Sequence, residues 1–152
     1  MTAPRPQFRV AIGSRFENIE LVQIAIEASL DLLTLDEATS HRIGLAVREA
    51  VANAIRHGND GDPDKRVEVE CVLETDQVVV KVEDQGRGFD PRDLPDPLQP
   101  DNLLKTSGRG IFFMSQFMDE IDYSFRPEGG TIVTMRKTIT PSSSAAGLKE
   151  EE

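Results

Sequence analysis

The sequence predicts a two-layer α/β (α+β) sandwich, a mainly antiparallel mixed sheet with helices on one face. Three observations carry this expectation. Five short runs alternate apolar with polar residues, the period of strands that bury one face. Two longer stretches place apolar residues at helical spacing between the first such run and the second. The second and third runs, and the fourth and fifth, are joined by short turns, which makes each pair antiparallel neighbours. A length of 152 residues suits one domain with a hydrophobic core. Its expected bounds are 7–138, between a loose start at 1–6 and a disordered acidic tail at 139–152.

Phe8, Val10 and Ile12 alternate with polar or small residues and read as a first strand ending at Gly13. Ser14 is the expected N-cap of a helix from about Arg15 to Leu33, with Ile19, Val22, Ile26 and Leu30 inward. Asn18, Glu20, Gln23 and Glu27 then face water. Asp36 caps a second helix that stops near His57, with Gly58 at its exit. Val47, Ala50, Val51, Ala54 and Ile55 give that helix an apolar face. From Asn59 to Lys65 the composition is that of a turn. Val67, Val69, Cys71 and Leu73 share one face of a strand, and Val78, Val80 and Val82 share one face of the next, across a hairpin at Glu74–Gln77. Residues 89–107 hold four prolines and read as a lid. Gly110–Met118 has a helical pattern, and Ile121–Phe125 and Thr131–Lys137 are the last strands.

Composition excludes several classes. The net charge of −10 argues against direct nucleic-acid binding, which needs clustered Lys and Arg. No apolar run approaches a membrane span, and residues 1–7 lack a signal-peptide core, so a cytoplasmic protein is expected. Cys71, the single cysteine, can form neither an intrachain disulfide nor a cysteine metal cluster, and its inward phase makes it core filler.

Four motifs can carry chemistry. Glu49 and Asn53 lie one helical turn apart on one face. Beside a nucleotide, the amide oxygen can bind Mg²⁺ and the carboxylate can take the proton of an attacking hydroxyl; alone, the pair reads first as a solvated polar stripe. Asp84-Gln-Gly86-Arg-Gly88 closes a strand, where a carboxylate can accept from an exocyclic amine such as that of adenine and the glycines admit a ligand. It also suits a plain turn. It is not a Rossmann fingerprint, since no helix opens after Gly88. Ser107-Gly108-Arg109-Gly110 precedes a helix whose N-terminal N–H groups make an anion site, and Arg109 either adds charge there or points to solvent. Gly129-Gly130-Thr131 either enters a strand or offers Thr131 to a base held by Asp84.

In this order and spacing, these motifs resemble the GHKL ATPase superfamily, and within it the anti-sigma-factor serine/threonine kinases of bacterial sporulation and stress-response switches. The residues behind the resemblance are Glu49-Ala-Val-Ala-Asn53-Ala-Ile-Arg-His57-Gly58, Asp84-Gln-Gly-Arg-Gly-Phe-Asp-Pro91, Gly108-Arg-Gly-Ile-Phe-Phe-Met114 with Met118-Asp119, and Gly130-Thr131. The resemblance implies a Bergerat-type fold that binds ATP or ADP with Mg²⁺ under a lid. It implies that Asn53 holds the Mg²⁺, that Asp84 reads the adenine amine, and that Gly86, Gly88, Gly108 and Gly110 shape the pocket. Glu49 is then the general base toward a serine or threonine hydroxyl. Implied partners are a sigma factor, an anti-anti-sigma factor as substrate, and a second copy in a homodimer. Lys105-Thr106 departs from the family, whose members often carry an arginine there. Lys105 gives a γ-phosphate charge without a planar fork of donors. Two rival readings share the pocket. One is a nucleotide-gated sequestering module without phosphotransfer. The other is a histidine-kinase ATPase domain, disfavoured because the stretch before the second helix leaves no length for a phosphoacceptor hairpin.

Overall fold

The computed structural model describes residues 8–32, 36–86 and 114–139. Among the described residues, five strands form one sheet in the order β1-β2-β3-β5-β4, where β1 is Phe8–Gly13, β2 Arg66–Leu73, β3 Gln77–Glu83, β4 Glu120–Phe125 and β5 Thr131–Thr138. Every pairing among them is antiparallel, including that of β3 with β5, which sets Val80 opposite Met135 and Val82 opposite Val133. The sheet and helices thus form the expected two-layer sandwich.

Alternation decides which sheet face is covered. Val67, Val69 and Cys71 of β2 and Val78, Val80 and Val82 of β3 are buried, in one cluster with Val133 and Met135 of β5. The same cluster holds the inward residues of helices α1 (Glu17–Leu32) and α2 (Glu37–Asn53), so both helices cover that face. The opposite face carries Arg9, Glu68, Glu70, Lys81 and Glu83, with Arg9 paired to Glu70 at 2.8 Å. Such exposed pairs add little to stability. Burial pushes the Cys71 thiol up to about 11, which leaves it unreactive at neutral pH.

On α1, Ile19, Val22, Ile26 and Leu30 are buried at the expected spacing. Leu30→Ala should therefore cost about 2–5 kcal/mol in urea unfolding, whereas exposed Leu21→Ala should stay within about 0.5 kcal/mol.

Two expectations about the polar residues of this region are corrected. Ser14 is not the N-cap of α1: its hydroxyl donates to the Lys65 carbonyl at 2.8 Å, tying the end of β1 to the turn before β2. Asn18, Gln23 and Glu27 do not simply face water. Asn18 Nδ2 donates to the Gly13 carbonyl at 3.0 Å, while Gln23 and Glu27 lie along the seam with α2. There His41 pairs with Glu27 at 2.9 Å and Arg48 donates to Gln23 at 3.1 Å. Close helix packing at Gly44, whose missing Cβ leaves room for the Glu27 side chain, draws these groups together.

Candidate nucleotide site

The site begins with the start and end of α2. Asp36 caps the helix, accepting from the Thr39 amide at 2.9 Å. Those Thr39 hydrogen bonds, side chain first, hold the exposed Asp36 carboxyl below its usual range. Ile43, Ala46, Val47, Ala50 and Val51 anchor one side of α2 in the core. This leaves Glu49 half-buried and carries Asn53, 5% exposed, to the helix end. The Asn53 carboxamide takes no part in capping the next turn.

That next turn, Ala54–Gly58, is π-helical. Its wider winding is seen in the bond from the Asn59 amide to the Ala54 carbonyl at 2.8 Å. The turn brings Gly58 against Asp84, at the exit of β3. A Cβ at Gly58 would overlap the Asp84 carboxylate, and one at Gly86 would overlap the Gly58 carbonyl. Two glycines are required because two backbones and a buried acid meet here. Gly86→Ala pits a methyl against main chain that cannot step aside. It should lower the melting temperature and abolish ATP binding together, at about 1–3 kcal/mol of stability by thermal unfolding.

Asp84 is 2% exposed, and its partners explain how an acid persists there. Its Oδ1 accepts from the Gly86 amide at 3.0 Å and the Thr131 amide at 3.1 Å. Its own amide donates to the Thr131 carbonyl at 3.0 Å, continuing the pairing of β3 with β5. Burial raises the carboxyl above its usual range, against the pull of these two N–H bonds, Lys65 and Arg126. Gly129 and Gly130 take φ values of 105° and 114°, a turn that only glycine makes without strain, and they set Thr131 opposite Asp84. Thr131 thus meets Asp84 through its main chain, a contact that neither sequence-based reading of Gly129-Gly130-Thr131 included.

Asn53 and Asp84 line one cleft with Ala50, Ala54, Met114, Tyr123 and Val133, which the described residues narrow to less than the size of a water. Gly86 and Thr131 adjoin it through Asp84, and Glu49 sits one turn before Asn53 on the same helix. Gly88, Lys105, Gly108, Arg109 and Gly110 lie outside the described residues, as does the expected lid. Burial, then Arg56, lowers the His57 pKa, so this half-buried imidazole in the π turn is neutral at pH 7.

The donor set fits a magnesium nucleotide. A buried carboxylate in a glycine cradle suits an exocyclic amine, and an uncharged amide oxygen suits a cation that keeps most of its water. Among the described residues, no cluster of His, Cys, Asp or Glu competes for a metal, and no helix is long and apolar enough to cross a membrane. Sequence reasoning missed Asn59, Tyr123 and the π turn. Asn59 was hidden in a stretch with turn composition, and no periodic signal marks a π-helix.

Comparison with known proteins gives this geometry its context. The model of the histidine kinase-like ATPase domain matches residues 12–137. The chain is 34% identical over 140 residues to the anti-sigma F factor of Oceanobacillus iheyensis, covering 90% of this chain and 94% of that protein. It is 35% identical over 139 residues to that of Heyndrickxia coagulans, covering 88% and 91%. In structure it is similar to the RsbU and RsbW domains of Rv1364c from Mycobacterium tuberculosis, with a TM-score of 0.59 and 19% identity. That match covers 93% of this chain and 34% of the longer one. The catalytic domain of the histidine kinase ThkA matches with a TM-score of 0.54 and 16% identity, over 89% and 99% of the two chains. At these identities the structural matches speak for the fold alone. Family model and curated relatives agree: the chain belongs to the histidine kinase-like ATPase domain family, among relatives that are anti-sigma F factors.

Proposed function

We propose that this protein is an ATP-dependent serine/threonine kinase that acts as an anti-sigma factor in the bacterial cytoplasm. It binds a sigma factor and phosphorylates a serine or threonine of an anti-anti-sigma antagonist, working as a homodimer. The observation that carries this reading is the cleft shared by Asn53 and Asp84, with Glu49 one turn away on α2. The names of its relatives, anti-sigma F factors, support a sigma factor as one partner.

In this reading, Asp84 accepts from the adenine amine, and Gly58 and Gly86 let the two backbones close around its carboxylate. Asn53 holds the Mg²⁺, which, when bound, neutralises charge on the phosphate oxygens. Glu49 takes the proton from the antagonist's hydroxyl. The hydroxyl oxygen then bonds to the γ-phosphorus, the γ-phosphorus bond to the bridging oxygen breaks, and ADP leaves. In the same reading Lys105 and Arg109 supply charge to the phosphates, Gly88, Gly108 and Gly110 shape the pocket, and the Thr131 side chain bonds to the base.

The test is to incubate protein, Mg²⁺ and γ-labelled ATP with a purified antagonist, and separately to capture sigma factor with ATP or ADP. Label on an antagonist serine or threonine and nucleotide-dependent capture are expected. Capture with no phosphoprotein would leave a sequestering module instead. Acid-labile label on the protein itself would point to histidine-kinase chemistry.

A further inference from the structure

We propose that Asn59 is a positioning residue for nucleotide selection, acting on the adenine amine through the Asp84–Gln85 peptide without touching the ligand. The proposal rests on the reading of Asp84 as the group that meets that amine. Asn59 follows the π turn, is fully buried, and has a partner for every polar atom of its side chain. Its Nδ2 donates to Ser14 Oγ at 2.7 Å and to the Arg66 carbonyl at 2.9 Å. Its Oδ1 accepts from the Gln85 main-chain amide at 2.7 Å. One side chain therefore joins the β1–α1 junction, the start of β2 and the loop that carries Asp84.

The bond to Gln85 matters because of where that N–H lies. It belongs to the planar peptide unit that begins at the Asp84 carbonyl carbon, so fixing its direction fixes ψ of Asp84. That backbone angle helps aim the Asp84 carboxylate. The Gln85 side chain is tied separately, its Oε1 accepting from the Arg66 amide at 2.7 Å. Gly86 closes the loop against the Gly58 carbonyl. A recognition group works only when held to within about 0.5 Å, and a buried, fully bonded amide provides that stiffness. Removing the Asn59 side chain leaves the Gln85 N–H without its acceptor and frees the plane to turn.

The experiment compares dissociation constants for Mg²⁺-ATP and for purine riboside triphosphate, which lacks the 6-amino group. It uses the full chain and its Asn59→Ala and Asn59→Asp variants, with folding checked by circular dichroism. Wild type should prefer ATP by about tenfold or more. Asn59→Ala should shrink that preference to within about threefold of unity, chiefly by weakening ATP. Asn59→Asp keeps an acceptor for Gln85 while losing donors to Ser14 and Arg66. It should retain the preference within about twofold even where its melting temperature falls. If Asn59→Ala does not fold, Asn59→Ser, too short to reach Gln85, gives the same reading. An undiminished preference in Asn59→Ala or Asn59→Ser overturns the proposal alone. So does an equal loss for both nucleotides, or an Asn59→Asp that loses the preference as fully. A wild type that does not discriminate overturns the reading of Asp84 and this proposal with it.

Discussion

Glu49→Gln should lower phosphoryl transfer to the antagonist by about 10²- to 10⁴-fold, the range expected for loss of a general base. ATP affinity should stay within about threefold. The split follows from position. Glu49 is half-buried on a helix fixed by Ala46, Val47 and Ala50, and it is not among the residues that line the Asn53–Asp84 cleft. The amide keeps the shape of the side chain, so neither the fold nor the base pocket should change. What it removes is the ability to take a proton. Single-turnover transfer of label at saturating ATP measures the step directly. Transfer at the wild-type rate would remove Glu49 from this role.

Asp84→Asn should weaken ATP binding by about 10- to 100-fold, the scale of one hydrogen bond to a charged acceptor in a buried site. The replacement keeps an oxygen for the Gly86 and Thr131 amides. It differs on the ligand side, where an NH₂ group would face the amine donor to donor. The same carboxylate predicts a pH dependence. Because burial raises its pKa, protonation begins above the usual carboxylate range, and the proton turns an acceptor into a donor. ATP affinity should thus fall as the pH drops through that raised value, and Asp84→Asn should show no such fall. For the ligand-free protein the sign reverses. This group's contribution to stability is full below its ordinary pKa of 3.8 and is lost as the pH rises through the folded value. Calorimetric titrations across mildly acidic pH test the first trend, and unfolding curves at the same pH values test the second.

What the sequence made legible follows from which signals are local. Alternation in β2 and β3 and helical spacing in α1 and α2 are set by burial on one side, so strands, helices and core residues could be read directly. Cap chemistry at Asp36 was equally local. Ser14 shows the limit. A serine before a helix is a natural cap, yet its hydroxyl satisfies the carbonyl of Lys65, a residue that arrives only when β1 pairs with β2. Gln23 and Glu27 looked like a solvated face because their partners, Arg48 and His41, sit on the other helix. At the site, Asn53, Asp84 and Gly86 were legible as motif residues. The bond from the Thr131 amide to Asp84, the approach of Gly58 to Gly86, and the clamp by Asn59 were not. Each depends on segments distant in sequence meeting at the sheet end.

The cleft between the end of α2 and the exit of β3 is the proposed site of an adenine nucleotide. Isothermal titration calorimetry of the folded protein with Mg²⁺-ATP and Mg²⁺-ADP tests it most directly. Saturable heat is expected for both at one site per chain, with GTP far weaker. A flat trace for ATP and ADP alike would contradict it.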